Sequence, residues 1–474
     1  MMLQQARSYA NMENKNEPKK AMAEKYTGIY SMHKYWSKKP ANLIRDLIVK
    51  YSKENEIVLD PFSGSGVSIV ESIKSGRKAI GIDINPAAIF ITRQILEKVE
   101  PSIIVEEFQK IRNDCESKIN ELYKIKRKNT ISIGTHFIWA KGELKEIWHS
   151  GEDNKRIVLE PHSSDIKLAK SFAYKKIPYY YPKTKLFSNA RINARENMRV
   201  CDLFTPRNTM ALSILLKRIE SMKDIELREL FKFCFSASLG QASKMVFVLN
   251  RRGAFSHKRQ SHGKEVGSWV IGYWIPKENF EINVWNCFSQ RFKRILRAKK
   301  EQIHFTYENK YVKNFKELKK GNLLLINDSG LQRLKKIPSN SIDYIITDPP
   351  HANRIPYLEL SMMWNSWLRN KVKYGDEIVI SEARSRNKNI ENYNKLLGKT
   401  LLEIQRVLKP NRCFTLIFNS NDEKTWADLF RMIKSSKLIL YKATTMGYSA
   451  NSVVQDNKSG ALKTDYVFTF KKSK

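Results

Sequence analysis

A strand, a turn, a helix, a second strand and a second helix follow one another between residues 56 and 99, and this order constrains the fold most. The short run Glu56 to Leu59 precedes a glycine-containing turn and the helical run Val67 to Lys74. Lys78 to Ile82 is a second predicted strand, and a helix is predicted over residues 87–99, after an earlier helix over 42–51. This alternation is typical of a doubly wound α/β sheet.

The alternation stops near residue 100 and resumes after residue 320. The intervening stretch is basic, aromatic-rich and irregular, with helices predicted near 103–125, 209–220 and 288–300. One interrupted sheet explains this better than two independent domains, because strands from both ends of the chain are needed to complete it. We therefore predict a flexible arm over 1–25, a first part of the α/β domain over 26–100, an inserted region over 101–320 and a second part over 321–474. Later elements are predicted at Leu323 to Ile326, Ile342 to Ile346, 395–408, Phe414 to Phe418 and Tyr466 to Phe470.

The charge balance indicates a polyanionic partner. The 474 residues include 85 Lys and Arg against 48 Asp and Glu, which gives a formal charge of +37. An anionic membrane surface is the competing partner, but no apolar run approaches the ~18 residues of a spanning helix. The polar first 25 residues lack the apolar core of a signal peptide, which predicts a cytoplasmic protein. The five cysteines form no CxxC pair, so we expect reduced thiols and no zinc or disulfide framework.

The glycine turn after the first strand is a candidate cofactor site. Its glycines let the backbone approach a ligand, and the following helix presents free N–H groups, although an ordinary strand–helix turn has the same pattern. Asp83 ends the second strand, where a carboxylate can accept hydrogen bonds from both ribose hydroxyls. The turn lacks the third spaced glycine of a pyrophosphate site, so a cofactor without phosphates fits better. The turn reads Asp60-Pro61-Phe62-Ser63-Gly64-Ser65-Gly66.

This turn resembles the motif that binds S-adenosyl-L-methionine (AdoMet) in amino-methylating DNA methyltransferases of the Asp-Pro-Pro-Tyr type. The upstream segment His33-Lys34-Tyr35-Trp36-Ser37-Lys38-Lys39-Pro40 resembles the motif that packs over the methionine end of the cofactor in that family, and its alternative interpretation is a basic surface loop. The resemblance implies a Rossmann-like AdoMet-dependent methyltransferase sheet carrying a large inserted recognition region. The implied cofactor contacts are Lys38, Pro40, Asp60 through Gly66, Asp83 and Ile84.

The candidate catalytic loop is Asp348-Pro349-Pro350-His351, at the end of a predicted buried strand. The prolines fix φ and remove two N–H donors, which stiffens the loop. Asp348 and the Pro349 carbonyl can accept both hydrogens of an exocyclic amine and aim its lone pair at the methyl group, so transfer is a direct displacement dominated by positioning. The base must leave the duplex and stack on an aromatic ring, for which His351 is the natural partner, although the family usually has Tyr or Phe there.

Other segments extend the resemblance along the chain. Asp328 would lie beside the adenine of the cofactor, or else be a turn or capping residue. A further group of DNA methylases shows similar stretches, but its cysteine-rich zinc module has no counterpart here. Trp364 and Trp367 near one of these stretches are at helical spacing, which favours core packing. The similar stretches are Thr205-Pro206-Arg207-Asn208, Pro356-Tyr357-Leu358-Glu359-Leu360 and Val407-Leu408-Lys409-Pro410.

The inserted region is the expected reader of the substrate. Basic residues crowd two of its stretches, and neighbouring aromatic residues could support packing or base contacts. We therefore expect the inserted region as a whole to contact double-stranded DNA, with no base-reading residue assignable. The basic residues are Arg251, Arg252, Lys258, Arg259, Lys264, Arg291, Lys293, Arg294, Arg297, Lys299 and Lys300, and the aromatic ones are Tyr273, Trp274 and Trp285.

The sequence thus predicts AdoMet-dependent methylation of the N6 amine of a flipped-out adenine in DNA, as in restriction–modification systems. By resemblance, Asp-Pro-Pro is commoner for adenine and Ser-Pro-Pro for cytosine. Cytosine N4 in DNA and a base amine in RNA are the alternative substrates. A DNA-binding protein with a degenerate methyltransferase fold is the other alternative, and only His351 favours it.

Overall fold

Seven strands form the central sheet of the first of two structural units in the computed structural model. The structure describes residues 23–151, 153, 155–251, 263–270, 272–352, 354–420, 422–447 and 464–473. The sheet unit comprises the described residues up to Lys98, His304–Leu358 and Lys371 onward. The inserted unit comprises Val99–Ile303 and Glu359–Asn370.

The sheet unit has the strand order β3-β2-β1-β4-β5-β7-β6, and only β7 is antiparallel to its neighbours. The central pairing aligns Leu59 of β1 with Ile80 of β2 and with Ile345 of β4. The chain order reverses between β1 and β4, which is where doubly wound sheets bind ligands beyond the carboxyl ends of their strands. The strands are β1 Ile57–Asp60, β2 Lys78–Asp83, β3 Leu323–Asn327, β4 Ile342–Thr347, β5 Leu408–Phe418, β6 Leu438–Gly447 and β7 Thr464–Lys472.

Helices of the sheet unit begin where the sequence provides a cap. Asn85 accepts a hydrogen bond from the Ala87 N–H at the start of α3, with Pro86 in the first turn, and Asp422 caps α6 in the same way. Helices α5 and α6 pack on the sheet through Leu401, Ile404 and Trp426, which are at most 1% exposed. The helices are α1 Ala41–Tyr51, α2 Val67–Lys74, α3 Pro86–Leu96, α4 Gly330–Leu334, α5 Ile390–Val407 and α6 Glu423–Ser435.

The inserted unit contains an antiparallel sheet, so the prediction of an irregular region was wrong. Its strands run in the order Lys124–Arg127, Thr130–Ala140, Glu143–Ser150 and Arg156–Leu159, with Glu278–Ile282 also paired to Thr130–Ala140. A separate pair joins Val248–Arg251 and Gly263–Val266. Its helices are Pro101–Asn120, Ser163–Ser171, Pro206–Glu220, Ile225–Ala242, Val284–Gln302 and Met362–Trp367, and Tyr357–Leu360 forms a short helix at the boundary between the units.

A buried ion pair fixes the interior of the inserted unit. The Arg207 guanidinium lies 2.5 Å from a carboxylate oxygen of Glu281, and both side chains are at most 3% exposed. Thr205 also donates to Glu281 and caps the helix that carries Arg207. Trp364 and Trp367 lie in the core, as the sequence favoured, and Trp367 meets Phe204 and Phe235 edge to face.

Two general features of the chain follow from the described parts. None of the described helices is both long and apolar enough to cross a membrane. All five cysteines are free, and four of them are buried. Within the same residues, no group of three or more His, Cys, Asp or Glu side chains could hold a metal ion.

Candidate active site

One cleft at the carboxyl edge of the sheet joins the glycine turn to the catalytic loop. Its volume is about 950 Å³, including its open mouth, which is within the range of ligand sites. Asp60, Gly64, Asp83 and Asp348 all line it, although they come from three different strand ends. Lining residues also come from the segment Tyr35–Lys39, from Ile84, Ser329 and Gly330, and from Tyr357–Leu358 and Asp376–Ile378.

The glycine turn has a backbone that only glycine fits well. Gly64 and Gly66 have φ values of 50° and 80°. A Cβ on Gly66 would lie 2.3 Å from Thr92 Cγ2, so the turn and helix α3 approach too closely for a side chain. Pro61, Phe62, Ser63 and Ser65 line the cleft with Gly64. The Ser63 hydroxyl is buried and has no hydrogen-bond partner among the described residues, so it is available to a ligand.

Asp83 ties the glycine turn to the end of β2. One carboxylate oxygen accepts the Gly64 N–H at 2.8 Å, and the other accepts the Asn85 N–H at 2.8 Å. Burial raises the pKa of Asp83 to about 7, against the lowering effect of these two N–H groups. A carboxylate oxygen has lone pairs for further donors, so Asp83 can still accept hydroxyl groups from the cleft.

Asp60 connects the glycine turn to the strand that ends at Asp348. Its buried carboxylate accepts hydrogen bonds from the Phe62 N–H at 3.0 Å and the Thr347 hydroxyl at 2.6 Å, and also from the Ser68 hydroxyl. Burial raises the pKa of Asp60 to about 6, despite these donors. Because Thr347 is the last residue of β4, the cofactor turn and the catalytic loop share one hydrogen-bonded support.

Asp348 is held by two side chains. One carboxylate oxygen lies 2.9 Å from Lys39 Nζ, and the other lies 2.8 Å from His351 Nε2. Burial alone would raise the pKa of Asp348, but Lys39 and His351 lower it below its ordinary value. Lys39 Nζ also lies 2.8 Å from Asp465 on β7, whose side chain is 1% exposed. Sequence reasoning missed Lys39 because the pattern Lys-Lys-Pro does not show which lysine turns inward.

The rest of the catalytic loop is less exposed to the cleft. Pro350 lines it, and the Pro350 carbonyl accepts the Tyr393 hydroxyl at 2.6 Å, whereas Pro349 is buried outside the lining. His351 is 9% exposed and is also absent from the lining. Its ring packs against Phe418 with the ring centroids 4.6 Å apart.

Three further predicted contacts have different surroundings. Lys38 lines the cleft, but its ammonium donates to the carbonyls of Tyr30 at 2.9 Å and His33 at 2.6 Å and so braces its own loop. Pro40 is buried beside the start of α1 and does not line the cleft. The Asp328 carboxylate faces Arg333 at 2.8 Å and Lys373 at 3.0 Å, and only its neighbours Ser329 and Gly330 reach the cleft.

Four aromatic rings line the cleft. Tyr35 and Trp36 are buried, at 8% and 4% exposure, while Phe62 and Tyr357 are partly exposed. Tyr357 stacks on Tyr35 with centroids 6.1 Å apart and ring planes 16° apart. The place of Tyr357 in the cleft also escaped the sequence reasoning, which used this segment only for its resemblance.

The basic residues of the inserted unit divide between surface and interior. On the helix Val284–Gln302, Lys293, Arg294, Arg297 and Lys300 are exposed, whereas Lys299 is buried and donates to Gln302 at 2.9 Å. Arg291 is half-buried, and burial lowers its pKa. In the other stretch, Lys264 pairs with Glu278 at 2.9 Å, while Arg252, Lys258 and Arg259 lie outside the described residues. Tyr273 and Trp285 are buried, and Trp274 is 41% exposed.

Curated relatives match short stretches of the chain. A type II methyltransferase, M.MjaII of Methanocaldococcus jannaschii, is 29% identical over 101 residues, which is 21% of this chain and 18% of that protein. The type II methyltransferase M2.LlaDCHI of Lactococcus lactis is 37% identical over 76 residues, covering 16% of this chain and 26% of that protein. The DNA adenine methyltransferase YhdJ of Escherichia coli is 38% identical over 76 residues, with the same two coverages. The chain thus spans about a fifth to a quarter of the length of these relatives.

Solved structures and a family model complete the comparison. A SAM-dependent methyltransferase from Agrobacterium tumefaciens is 13% identical, covers 40% of this chain and 52% of that chain, and has a TM-score of 0.19. The family model N6_N4_Mtase, described as DNA methylase, matches residues 4–94, a range that includes the segment Tyr35–Lys39, the glycine turn and Asp83. This family uses S-adenosylmethionine. Through residues 4–94, the chain is therefore a member of the N6_N4_Mtase family of DNA methylases.

Proposed function

We propose that the chain transfers a methyl group from AdoMet to the exocyclic N6 amine of an adenine extruded from DNA. The observation that carries the proposal is the single cleft lined by the glycine turn, Asp83 and Asp348. A methyl donor and an acceptor amine must meet in one cavity for direct transfer, and this cleft offers a cofactor wall and a carboxylate wall side by side.

The cofactor wall fits AdoMet in its polar groups. Asp83 offers carboxylate lone pairs suited to ribose hydroxyls, and the buried Ser63 hydroxyl is free to bond a ligand. The turn at Gly64 brings the backbone to the cleft without a side chain in the way. When bound, AdoMet supplies an activated methyl group on a sulfonium.

Asp348 is the residue suited to the acceptor amine. Lys39 keeps its carboxylate ionised, and an ionised carboxylate accepts hydrogen bonds from an N–H group. Such a bond would orient the amine and draw its lone pair out of the base ring. No cysteine is among the described residues that line the cleft, which supports direct transfer without a covalent intermediate on a thiol.

Adenine is the base we favour over cytosine. The loop Asp348-Pro349-Pro350 resembles the adenine type rather than the Ser-Pro-Pro cytosine type, and YhdJ, one of the relatives, is named a DNA adenine methyltransferase. DNA is the substrate we favour because the chain carries a formal charge of +37 and exposes four basic side chains on the helix Val284–Gln302.

Expression in a host that lacks DNA methylation tests the proposal directly. Genomic DNA would be digested to nucleosides and analysed by mass spectrometry, with N6-methyladenine as the expected product. N4-methylcytosine would replace our base assignment with the alternative, and methylated RNA alone would replace DNA as the substrate. If the purified protein binds AdoMet but methylates no nucleic acid, the degenerate DNA-binding protein is the correct interpretation.

The Asp348→Ala variant separates the two walls of the cleft. We expect it to bind AdoMet with nearly the affinity of the wild type, because the glycine turn and Asp83 remain, and to lose methyl transfer. AdoMet affinity is measured by calorimetry and transfer by incorporation of a labelled methyl group. Equal loss of both would show that Asp348 does not have the role proposed for it.

A further inference from the structure

We propose that Tyr357 is the aromatic platform for the extruded base and that His351 is instead a positioning residue for Asp348. The inference rests on the proposed function and assigns the two aromatic roles within that site. It replaces the expectation that the ring directly after Asp-Pro-Pro stacks on the base.

His351 is turned away from the space a base would enter. Its side chain is 8% exposed and its ring packs against Phe418 at a centroid distance of 4.6 Å. It does not line the cleft, although Asp348 and Pro350 on either side of the loop do. A flipped base stacked on this ring would have to displace Phe418, which is fully buried.

The hydrogen bonds of His351 define its tautomer. Arg354 Nη1 lies 3.3 Å from His351 Nδ1, and because a guanidinium can only donate, Nδ1 is the acceptor of that pair. The proton of the neutral ring is then on Nε2, which donates to Asp348 at 2.8 Å. With Lys39 on the other oxygen, both oxygens of Asp348 are fixed and the carboxylate plane cannot rotate freely.

Tyr357 has the properties that a platform needs. It lines the cleft and is partly exposed, and its ring is held in a stack against the buried Tyr35. Burial raises the pKa of Tyr357, and the charge of Asp348 raises it further, which places the ring within electrostatic reach of the catalytic carboxylate. Phe62, the other partly exposed ring of the cleft, belongs to the glycine turn. The ring near Asp348 is therefore Tyr357.

Paired substitutions separate the ring from the hydrogen bond at position 351. His351→Phe keeps an aromatic ring but removes the donor to Asp348, whereas His351→Gln removes the ring but keeps an N–H donor. If His351 positions Asp348, kcat falls about tenfold or more in His351→Phe, and His351→Gln recovers most of that loss. The reverse order, with Phe active and Gln inactive, would restore His351 as the platform and overturn the proposal.

The second pair tests Tyr357. Tyr357→Leu is expected to raise the KM for DNA by about five- to a hundredfold, the range of base–aromatic stacking, while the Kd for AdoMet changes little. Tyr357→Phe keeps the ring and should recover most of the lost affinity for DNA. A similar KM for DNA in the leucine and phenylalanine variants, or a parallel loss of AdoMet binding, contradicts the platform. Equal melting temperatures of the four variants and the wild type exclude unfolding as the cause.

A measurement without turnover keeps this test separate from the proposed function. In protein labelled with ¹⁵N-histidine, we expect a slowly exchanging proton on His351 Nε2 whose signal is lost in Asp348→Ala. A proton on Nδ1 instead would refute the positioning role even if the enzyme is active. The expected signal in a protein that methylates nothing would leave the pairing intact and refute the proposed function.

Discussion

Lys39→Met perturbs the one cation that neutralises two buried carboxylates. Lys39 Nζ lies 2.9 Å from Asp348 and 2.8 Å from Asp465, so the two carboxylate oxygens are at most about 5.7 Å apart. Without the ammonium, their mutual repulsion is about 3 kcal/mol at an effective dielectric constant of ~20. That energy corresponds to about two pKa units.

The sign of the effect follows from the present pKa of Asp348. Burial raises this pKa, but Lys39 and His351 lower it overall, so the carboxylate stays ionised until the pH falls through the lowered value. Removing Lys39 raises the pKa of Asp348, and the acid limb of the methylation rate should then move to higher pH by about two units. Methionine fills a similar volume, so the change is mainly one of charge.

The assay is the rate of labelled methyl transfer between pH 5 and pH 9, with melting temperatures recorded at each pH. Asp465→Asn removes the second carboxylate, so the double variant Lys39→Met with Asp465→Asn should recover part of the shift. An acid limb in Lys39→Met that coincides with that of the wild type, in a protein of unchanged melting temperature, would refute the role of Lys39. A shift that the double variant does not reduce would refute the repulsion between the carboxylates.

Three further predictions concern the cofactor wall, the inserted unit and DNA binding. The pKa of Asp83 is raised to about 7, so AdoMet affinity measured by calorimetry should rise as the pH passes through this value, and Asp83→Asn should abolish that dependence. Arg207→Met leaves Glu281 buried without its partner and should lower the stability of the inserted unit by about 3–5 kcal/mol in denaturant unfolding, whereas Arg218→Ala, at a partly exposed pair, should cost less than about 1 kcal/mol. Replacing four exposed basic residues by Gln should reduce the salt dependence of DNA affinity by up to about 0.9 in slope per lost phosphate contact, while the same change in charge at a control set should leave the slope unchanged. The tested set is Lys293, Arg294, Arg297 and Lys300, and the control set is Lys313, Lys316, Lys319 and Lys320.

Most of the sheet unit was predictable because its parallel strands are short apolar runs that end in conspicuous polar residues. Helix Val67–Lys74 has the predicted bounds, and the strands after it match within one or two residues, apart from an earlier start of β5 at Leu408. Strand β6 was not predicted. It lies at the sheet edge with Ile439 and Tyr441 exposed, and an irregularity between Leu440 and Lys442 interrupts its register.

The sheet of the inserted unit was missed for a related reason. Strand Thr130–Ala140 shifts register twice against its neighbour, between Gly134 and His136 and between Ile138 and Trp139. Each shift reverses which side chains face inward, so the alternation that identifies a strand disappears from the sequence. Helix Ile225–Ala242 was missed because it is buried on most of its circumference and therefore has little amphipathic periodicity.

The candidate site shows the same boundary between local and tertiary information. Local spacing was sufficient to place Asp60, Gly64, Asp83 and Asp348 at one edge of a parallel sheet. The partner of Asp348 could not be predicted, because the contact with Lys39 joins residues from opposite ends of the chain.

The placement of the inserted unit affects the order in which the chain can fold on the ribosome. Strand β2 ends at Asp83, but its outer neighbour β3 begins at Leu323. At about 5–20 residues per second, synthesis of the intervening stretch takes roughly 12–50 s. During that interval both edges of the β1–β2 pair lack their partners, while Val99–Ile303 emerges as one uninterrupted segment. The nascent amino-terminal segment is therefore the part of this protein most exposed to aggregation and most dependent on chaperones during synthesis.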